Sequence, residues 1–274
     1  MPKPVKTSAS TKGAPAKGPV DKALEVLDAL VQPDSPHRLA DLATRTGLPK
    51  PTVHRLLQSF ADAGYATPAT GGSYRPGPRL LALGATALAS SRELQLARPV
   101  LDDLRLRTGH LAHFSVRDGA AAVHVAHSEP ASAYRMGVSA GGEVPLYCSA
   151  VGWAMLAGLP APEDFLGGLE PLPARTPRTP TDPAAVLRGL AEVRERGYAV
   201  DDEYAEQDVR AIAAPVVGPG GEVAGAVGIV GLTFTLDEGS VAVLGPMVRA
   251  AAGTISAGLR GASGASLGVV RGEA

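Results

Sequence analysis

Near the start of the chain, apolar side chains recur every three or four positions, and proline or glycine interrupts the pattern twice. This spacing predicts three amphipathic helices, over about 20–32, 38–46 and 51–64. Residues 65–76 then alternate between polar and apolar positions on either side of a Gly-Gly pair, which predicts a β-hairpin. Three helices followed by a hairpin is the order of a winged helix-turn-helix.

The rest of the chain alternates between the two periodicities. A leucine-rich stretch over 78–97 predicts one long helix, and Arg98-Pro99 after it predicts the start of a second domain. Beyond that point we expect strands at 114–126 as a hairpin, 132–138, 210–217 and 222–231, and helices at 145–159, 183–197 and 239–260. Antiparallel hairpins interleaved with helices predict an α+β fold.

Charge is distributed unevenly along the 274 residues, although the formal net charge is only -1. Residues 1–80 hold 11 Lys and Arg against 6 Asp and Glu, whereas the remainder holds 15 against 21. A basic front part is typical of a protein that binds DNA or RNA. The alternative is that the basic tail serves only solubility. The acidic remainder argues against a second nucleic-acid surface.

The composition excludes several classes of protein. Hydrophobic residues make up 45% of the chain and charged residues 19%, which predicts a packed core and excludes global disorder. The single cysteine, Cys148, excludes an intrachain disulfide and suits a reducing cytoplasm. Residues 1–18 lack the apolar segment of a secretion signal, and no apolar run approaches the roughly 20 residues of a membrane span. We therefore expect a cytoplasmic protein with no membrane partner.

The third predicted helix carries an outward polar face that suits DNA. Arg can bond guanine through two hydrogen bonds, Gln can do the same with adenine, and groups at a helix N-terminus suit phosphates. The predicted DNA-binding residues are Lys50, Thr52, His54, Arg55 and Gln58 on the helix, with Arg75 on the hairpin. Two alternatives stay open: a three-helix bundle whose polar residues are only solvated, and a winged domain that binds protein.

Six segments of the chain together resemble the IclR family of bacterial transcription regulators. The segments are 40–65 (ADLATRTGLPKPTVHRLLQSFADAGY), 74–84, 145–157 (PLYCSAVGWAMLA), 176–182 (TPRTPTD), 193–203 and 209–216. They fall in the family's order and extend over about 20–260. The resemblance implies a repressor or activator that binds palindromic DNA as a homodimer or a dimer of dimers. It also implies a linker helix and a GAF-like, antiparallel-sheet effector domain, with no cofactor.

The resemblance also implies an effector site between the sheet and the segment 145–157. By position, its residues would be Met136, Val144, Ala150, Val151, Asp201, Val209, Ala211, Gly228 and Val230. Ala211 stands where many members have Cys, and Gly228 and Val230 stand where sensors of small acids commonly have Ser. Burying a carboxylate without hydrogen-bond donors is costly. We therefore expect an effector larger or more apolar than glyoxylate or pyruvate, with Asp201 as its main polar contact, although a pocket that senses nothing stays possible.

The periodicities and the resemblance divide the chain into five parts. We expect a disordered basic tail at 1–18, a winged helix-turn-helix DNA-binding domain at 19–77, a linker helix at 78–98, an effector-binding and oligomerisation domain at 99–262 and a flexible tail at 263–274.

Two patterns in the sequence suggest an enzymatic or a metal-binding alternative. Residues 137–141 match the G-x-S-x-G motif of serine hydrolases, but every histidine precedes the serine, and the usual order requires one after it. A hydrolase-like C-terminal domain with the front domain as a docking module is therefore the second hypothesis. The pairs His110/His113 and His124/His127 suggest metal ligands. On strands, only one of each pair could face a common point, so we expect no metal site.

Overall fold

The computed structural model describes residues 18–32, 35–131, 140–169 and 171–265. The chain divides into two units between Ala87 and Leu88, and each unit is described by itself.

The N-terminal unit contains the predicted helices and hairpin. Its elements are α1 (Pro19–Val31), β1 (His37–Arg38), α2 (Leu39–Thr46), α3 (Lys50–Asp62), β2 (Ala66–Ala69), β3 (Ser73–Pro76) and the start of α4 (Pro78–Ser90). The hairpin strands β2 and β3 pair antiparallel, and β1 adds a third strand beside β3. β1 was not predicted, because two residues are too few to show an alternation.

Apolar residues at helical spacing hold the three helices around one small core. Leu30, Leu42, Val53 and Leu57 are all fully buried there. The turn between α2 and α3 requires Gly47, whose φ of 67° is the left-handed conformation that favours glycine. The winged helix-turn-helix arrangement predicted from the sequence is therefore confirmed.

The prediction of a single linker helix over 78–98 is wrong, because the helix is not continuous. Two helices occupy this region, α4 and then α5 (Arg92–Thr108), with Ser91 between them. The hydroxyl of Ser91 accepts a hydrogen bond of 3.2 Å from the Leu94 amide, so Ser91 caps the start of α5. Pro99 lies inside α5 and does not mark a boundary.

The C-terminal unit is built on one antiparallel sheet of six strands in the order β6-β5-β4-β9-β8-β7. The strands are β4 (Leu111–Asp118), β5 (Ala121–Ser128), β6 (Glu143–Pro145), β7 (Ala199–Asp202), β8 (Val209–Val217) and β9 (Val223–Leu232). One core packs α5 and α9 (Glu238–Ala265) against the sheet. The second core contains α6 (Ala150–Ala157), α7 (Pro162–Gly167) and α8 (Pro183–Arg196). The α+β class is confirmed.

The segment 145–159 is not the continuous helix that was predicted. It contains the end of β6, one turn of 3-10 helix (Leu146–Cys148) and α6. Every residue of α6 is buried, so its composition is apolar all round and carries no amphipathic period. The predicted strand at 132–138 lies outside the described residues.

Helix α9 is the one described helix that is long and apolar enough to cross a bilayer, over Glu238–Gly261, by length and composition only. In the fold, α9 buries Val248, Ala252 and Ile255 in the core it shares with α5 and the sheet.

Candidate functional site

The outward face of α3 presents basic side chains to solvent. Lys50, His54 and Arg55 are exposed, and none of their side chains makes a hydrogen bond or ion pair with the described residues. Thr52, also predicted to contact DNA, is half-buried. Because α3 fixes its opposite face in the core, these groups are displayed on a rigid element.

Gln58 on α3 contacts the wing, and Arg75 lies on the wing itself. The Gln58 side-chain amide donates a hydrogen bond of 3.1 Å to the hydroxyl of Tyr74, which is buried on β3. Arg75 is the next residue on β3 and is exposed. Gln58 thus has an intramolecular partner that sequence analysis did not predict, and the contact ties α3 to the wing.

A cavity of about 120 Å³ in the C-terminal unit brings together seven of the nine predicted effector residues. These seven are Val144, Ala150, Val151, Asp201, Val209, Ala211 and Val230. Gly228 is not among the lining residues, and Met136 lies outside the described residues. Wider clefts of about 470 and 800 Å³ occur elsewhere in the unit, but Asp201 lines neither of them.

Two histidines that sequence analysis did not assign to this site also line the cavity. His113 on β4 and His124 on β5 stand edge to face, with ring centroids 4.7 Å apart. The buried hydroxyl of Ser115 lies 3.3 Å from Nδ1 of His113 and 2.7 Å from Nδ1 of His124. One histidine of each predicted pair therefore faces the common point, as strand alternation indicated. No cluster of three or more His, Cys, Asp or Glu suited to a metal occurs among the described residues.

Both histidines are neutral at physiological pH. Burial lowers the pKa of His113 well below its ordinary value, and the neighbouring His124 and His127 lower it further. Burial, with a contribution from His127, lowers the pKa of His124 to about 4. Ser115 has one hydroxyl hydrogen and can donate to only one ring. At least one ring therefore carries its proton on Nδ1 and leaves Nε2 as an acceptor.

The backbone of Ile212 and the ring of His113 together explain the glycine at position 228. Gly228 and His113 are directly paired across β4 and β9. A Cβ atom at Gly228 would lie 2.8 Å from the Ile212 carbonyl oxygen and 3.1 Å from Nε2 of His113. The Ile212 carbonyl is therefore the closest obstacle to a side chain at position 228, and the imidazole of His113 stands beside it.

Asp201 is the buried carboxyl group of the cavity, with 4% of its surface exposed. Its Oδ1 accepts hydrogen bonds from the amides of Tyr204 at 2.7 Å and Ala205 at 3.4 Å. Burial raises the pKa of Asp201 to about 7, and the negative charges of Asp202 and Glu206 add to the rise, while the two amides oppose it.

The TPRTPTD loop holds the wall of the cavity that follows Asp201. Two side chains of the loop and that of Arg175, just before it, donate to three consecutive backbone carbonyls: Thr176 to Glu203 at 2.6 Å, Thr179 to Tyr204 at 2.6 Å and Arg175 to Ala205 at 3.1 Å. In the sequence this loop contributed only to the family resemblance, because nothing local shows which carbonyls it reaches.

Two family models match the chain over most of its length. The IclR helix-turn-helix domain matches residues 19–69, and the bacterial transcriptional regulator IclR C-terminal domain matches residues 85–257. This chain belongs to the IclR family of bacterial transcriptional regulators. The resemblance seen in its sequence is thereby confirmed.

Similar proteins cover nearly the whole chain. The HTH-type transcriptional regulator BhcR of Paracoccus denitrificans is 30% identical over 243 residues, which cover 88% of this chain and 86% of BhcR. The crystal structure of an IclR transcriptional regulator from Alicyclobacillus acidocaldarius is 27% identical, with a TM-score of 0.79, and the match covers 88% of this chain and 98% of that one. An IclR homolog from Microbacterium hydrocarbonoxydans, crystallised with 4-hydroxybenzoate, is 26% identical, with a TM-score of 0.76, and the match covers 89% and 100%.

The family membership decides between the two hypotheses of function. The family and the related proteins are DNA-binding transcriptional regulators and not enzymes. The hydrolase alternative is therefore rejected for this IclR-type regulator. Most of its motif, residues 137–139, lies outside the described residues.

Proposed function

We propose that this IclR-type regulator reads a palindromic operator through the exposed face of α3 and the wing, as a homodimer or a dimer of dimers in the cytoplasm. A small molecule bound in the cavity beside Asp201 changes that binding. The observation that carries this proposal is the gathering of seven predicted residues, Asp201 among them, and the histidine pair around one cavity. The free basic side chains of α3 support the DNA half.

The walls of the cavity favour an effector with an apolar body. Val, Ala and Gly make up eight of the fourteen lining residues, and the other six are polar or charged. Its volume of about 120 Å³ approaches the roughly 150 Å³ of a cavity that accepts benzene. The homolog crystallised with 4-hydroxybenzoate supports an effector of one-ring size in a protein of this fold. We therefore propose a ligand larger or more apolar than glyoxylate or pyruvate.

Footprinting on the DNA upstream of the protein's own gene tests the DNA half. Specific protection should weaken steeply with salt, because Lys and Arg displace counterions from phosphates. Arg55→Ala should weaken operator binding by about 1–3 kcal/mol and relax the preference at one base pair. Arg188→Ala removes the same charge from the exposed surface of α8 and is the matched control. An equal loss on random DNA would show that Arg55 contacts only phosphate.

A metabolite screen on the same DNA fragment tests the sensing half. We expect at least one compound of one-ring size to change the affinity or the spacing of the protected half-sites. Submillimolar binding of glyoxylate or pyruvate in calorimetry would contradict the proposed effector class. If no compound changes DNA binding, the sensing half is wrong.

A further inference from the structure

The hydrogen bond between Gln58 and Tyr74 joins an exposed residue of α3 to a buried residue of the wing. Tyr74 packs in the core of the N-terminal unit, and its backbone is paired with His37 of β1 on one side and Pro68 of β2 on the other. The phenol is therefore held in place, whereas a glutamine on a helix surface otherwise turns freely about its side-chain bonds. The contact of 3.1 Å restrains the Gln58 amide group.

The restrained amide of Gln58 keeps the groups that an adenine needs. A side-chain amide has two N–H donors and one carbonyl acceptor. One N–H goes to the Tyr74 hydroxyl, which leaves the second N–H and the carbonyl oxygen without a partner among the described residues. In the major groove adenine accepts at N7 and donates from N6, so one amide can bond both atoms. The contact with Tyr74 therefore leaves Gln58 able to recognise a base.

We infer that Tyr74 is a positioning residue that holds Gln58 ready to bond an adenine of the operator. The inference rests on the proposed function, because it takes α3 as the element that reads bases. A long side chain that becomes ordered only on binding lowers the affinity by about two- to tenfold. The hydrogen bond to Tyr74 orders Gln58 before DNA arrives, so the complex does not bear that loss.

Binding of the full chain to a panel of operator variants tests the inference. Selection of bound sites from random DNA gives the operator, and each base pair of a half-site is then changed in turn. Gln58→Ala should identify one position, where it abolishes a preference for adenine. Tyr74→Phe keeps the buried ring and removes only the hydroxyl. We expect it to lower the adenine preference at that same position by about two- to tenfold and to leave the other positions unchanged.

The double variant separates positioning from a general effect on the wing. In Gln58→Ala the Tyr74 hydroxyl has no amide to orient, so adding Tyr74→Phe should cause no further loss of that preference, and additive losses would contradict the inference. The affinity for random DNA and its salt dependence report phosphate contacts and should not change, whereas a distorted wing would weaken them. Tyr65→Phe removes a hydroxyl elsewhere in the same unit, keeps the ring beneath Arg79 and is the matched control.

A measurement on the unmodified chain decides if Tyr74→Phe does not fold. The side-chain amide of Gln58, assigned in nuclear magnetic resonance spectra by its absence from Gln58→Ala, should be more ordered than that of exposed Gln207. Equal mobility of the two amides would overturn the inference.

Four results of the binding panel would also overturn it: no change of base preference in Gln58→Ala, a base other than adenine at the position it reads, an unchanged preference in Tyr74→Phe, or an equal loss at every base pair. Failure of the proposed function is a separate observation, because selection with the unmodified chain would then return no preferred sequence. A selected operator that Tyr74→Phe reads normally would keep that function and remove the inference.

Discussion

Replacing Asp201 by asparagine should remove part of the pH dependence of the free energy of unfolding of the C-terminal unit. Asparagine retains the oxygen that accepts from the Tyr204 and Ala205 amides but cannot ionise. Burial raises the pKa of Asp201 to about 7, so the native carboxyl keeps its proton over a range in which the unfolded one has lost it. The substitution therefore removes a titration that opposes folding as the pH rises.

The sign and size follow from proton linkage. The unfolded carboxyl titrates near 3.8, so between pH 3.8 and about 7 the native state binds the extra proton and stability falls as pH rises. A gap of about three pH units at about 1.4 kcal/mol per unit amounts to about 4 kcal/mol in total. Between pH 5 and pH 8 this titration lowers the free energy of unfolding of the unmodified chain by about 3 kcal/mol. Over the same range the stability of Asp201→Asn should therefore rise by about 3 kcal/mol relative to the unmodified chain.

Trp153 makes the measurement specific to the C-terminal unit, because it is the only tryptophan in the sequence. Its indole N–H donates to the Tyr147 carbonyl at 2.6 Å, and its ring lies 5.4 Å from that of Tyr204. Urea titrations followed by Trp153 fluorescence, at pH 5 and pH 8 and at one protein concentration, give the two free energies of unfolding.

The other titrating groups contribute equally to the stability of both proteins, so their contributions cancel when the two are compared. The two cavity histidines have lowered pKa values, so their contribution to stability falls as pH decreases below 6.5, equally in both proteins. Asp164→Asn, on the exposed side of α7, should follow the unmodified chain at both pH values. Parallel curves for Asp201→Asn and the unmodified chain would refute the reasoning, because they would mean that Asp201 ionises normally in the fold.

Two further substitutions test the packing around the cavity, and both are read by the same fluorescence. Gly152→Ala would place a Cβ atom 2.2 Å from the Leu146 carbonyl oxygen, so the backbone must move. We expect the free energy of unfolding to fall by about 1–3 kcal/mol. An unchanged unfolding curve would contradict the close approach of the two segments. Ser115→Ala removes the hydroxyl that bridges two buried imidazoles and should lower stability by about 1–3 kcal/mol, whereas Ser240→Ala, which removes an exposed hydroxyl, should cost less.

The sequence by itself determined the N-terminal unit well. Each helix and the wing hairpin is short, contiguous and half-buried, so the apolar spacing shows both the element and the face that it buries. The second helix was predicted to end at residue 46, and the left-handed backbone of Gly47 explains why. The exposed basic face of α3 follows directly from the same spacing.

Only the tertiary structure decided the interior of the C-terminal unit. Helix α6 is buried on all sides, so no period marked its start, and β7 is only four residues long. The resemblance to a family pointed to Asp201, but no local pattern indicated its two amide partners or the raised pKa. Strand alternation showed that one histidine of each pair would face a common point. The pairing of β4 with β5 decided that these are His113 and His124, because the sheet register sets which distant residues meet.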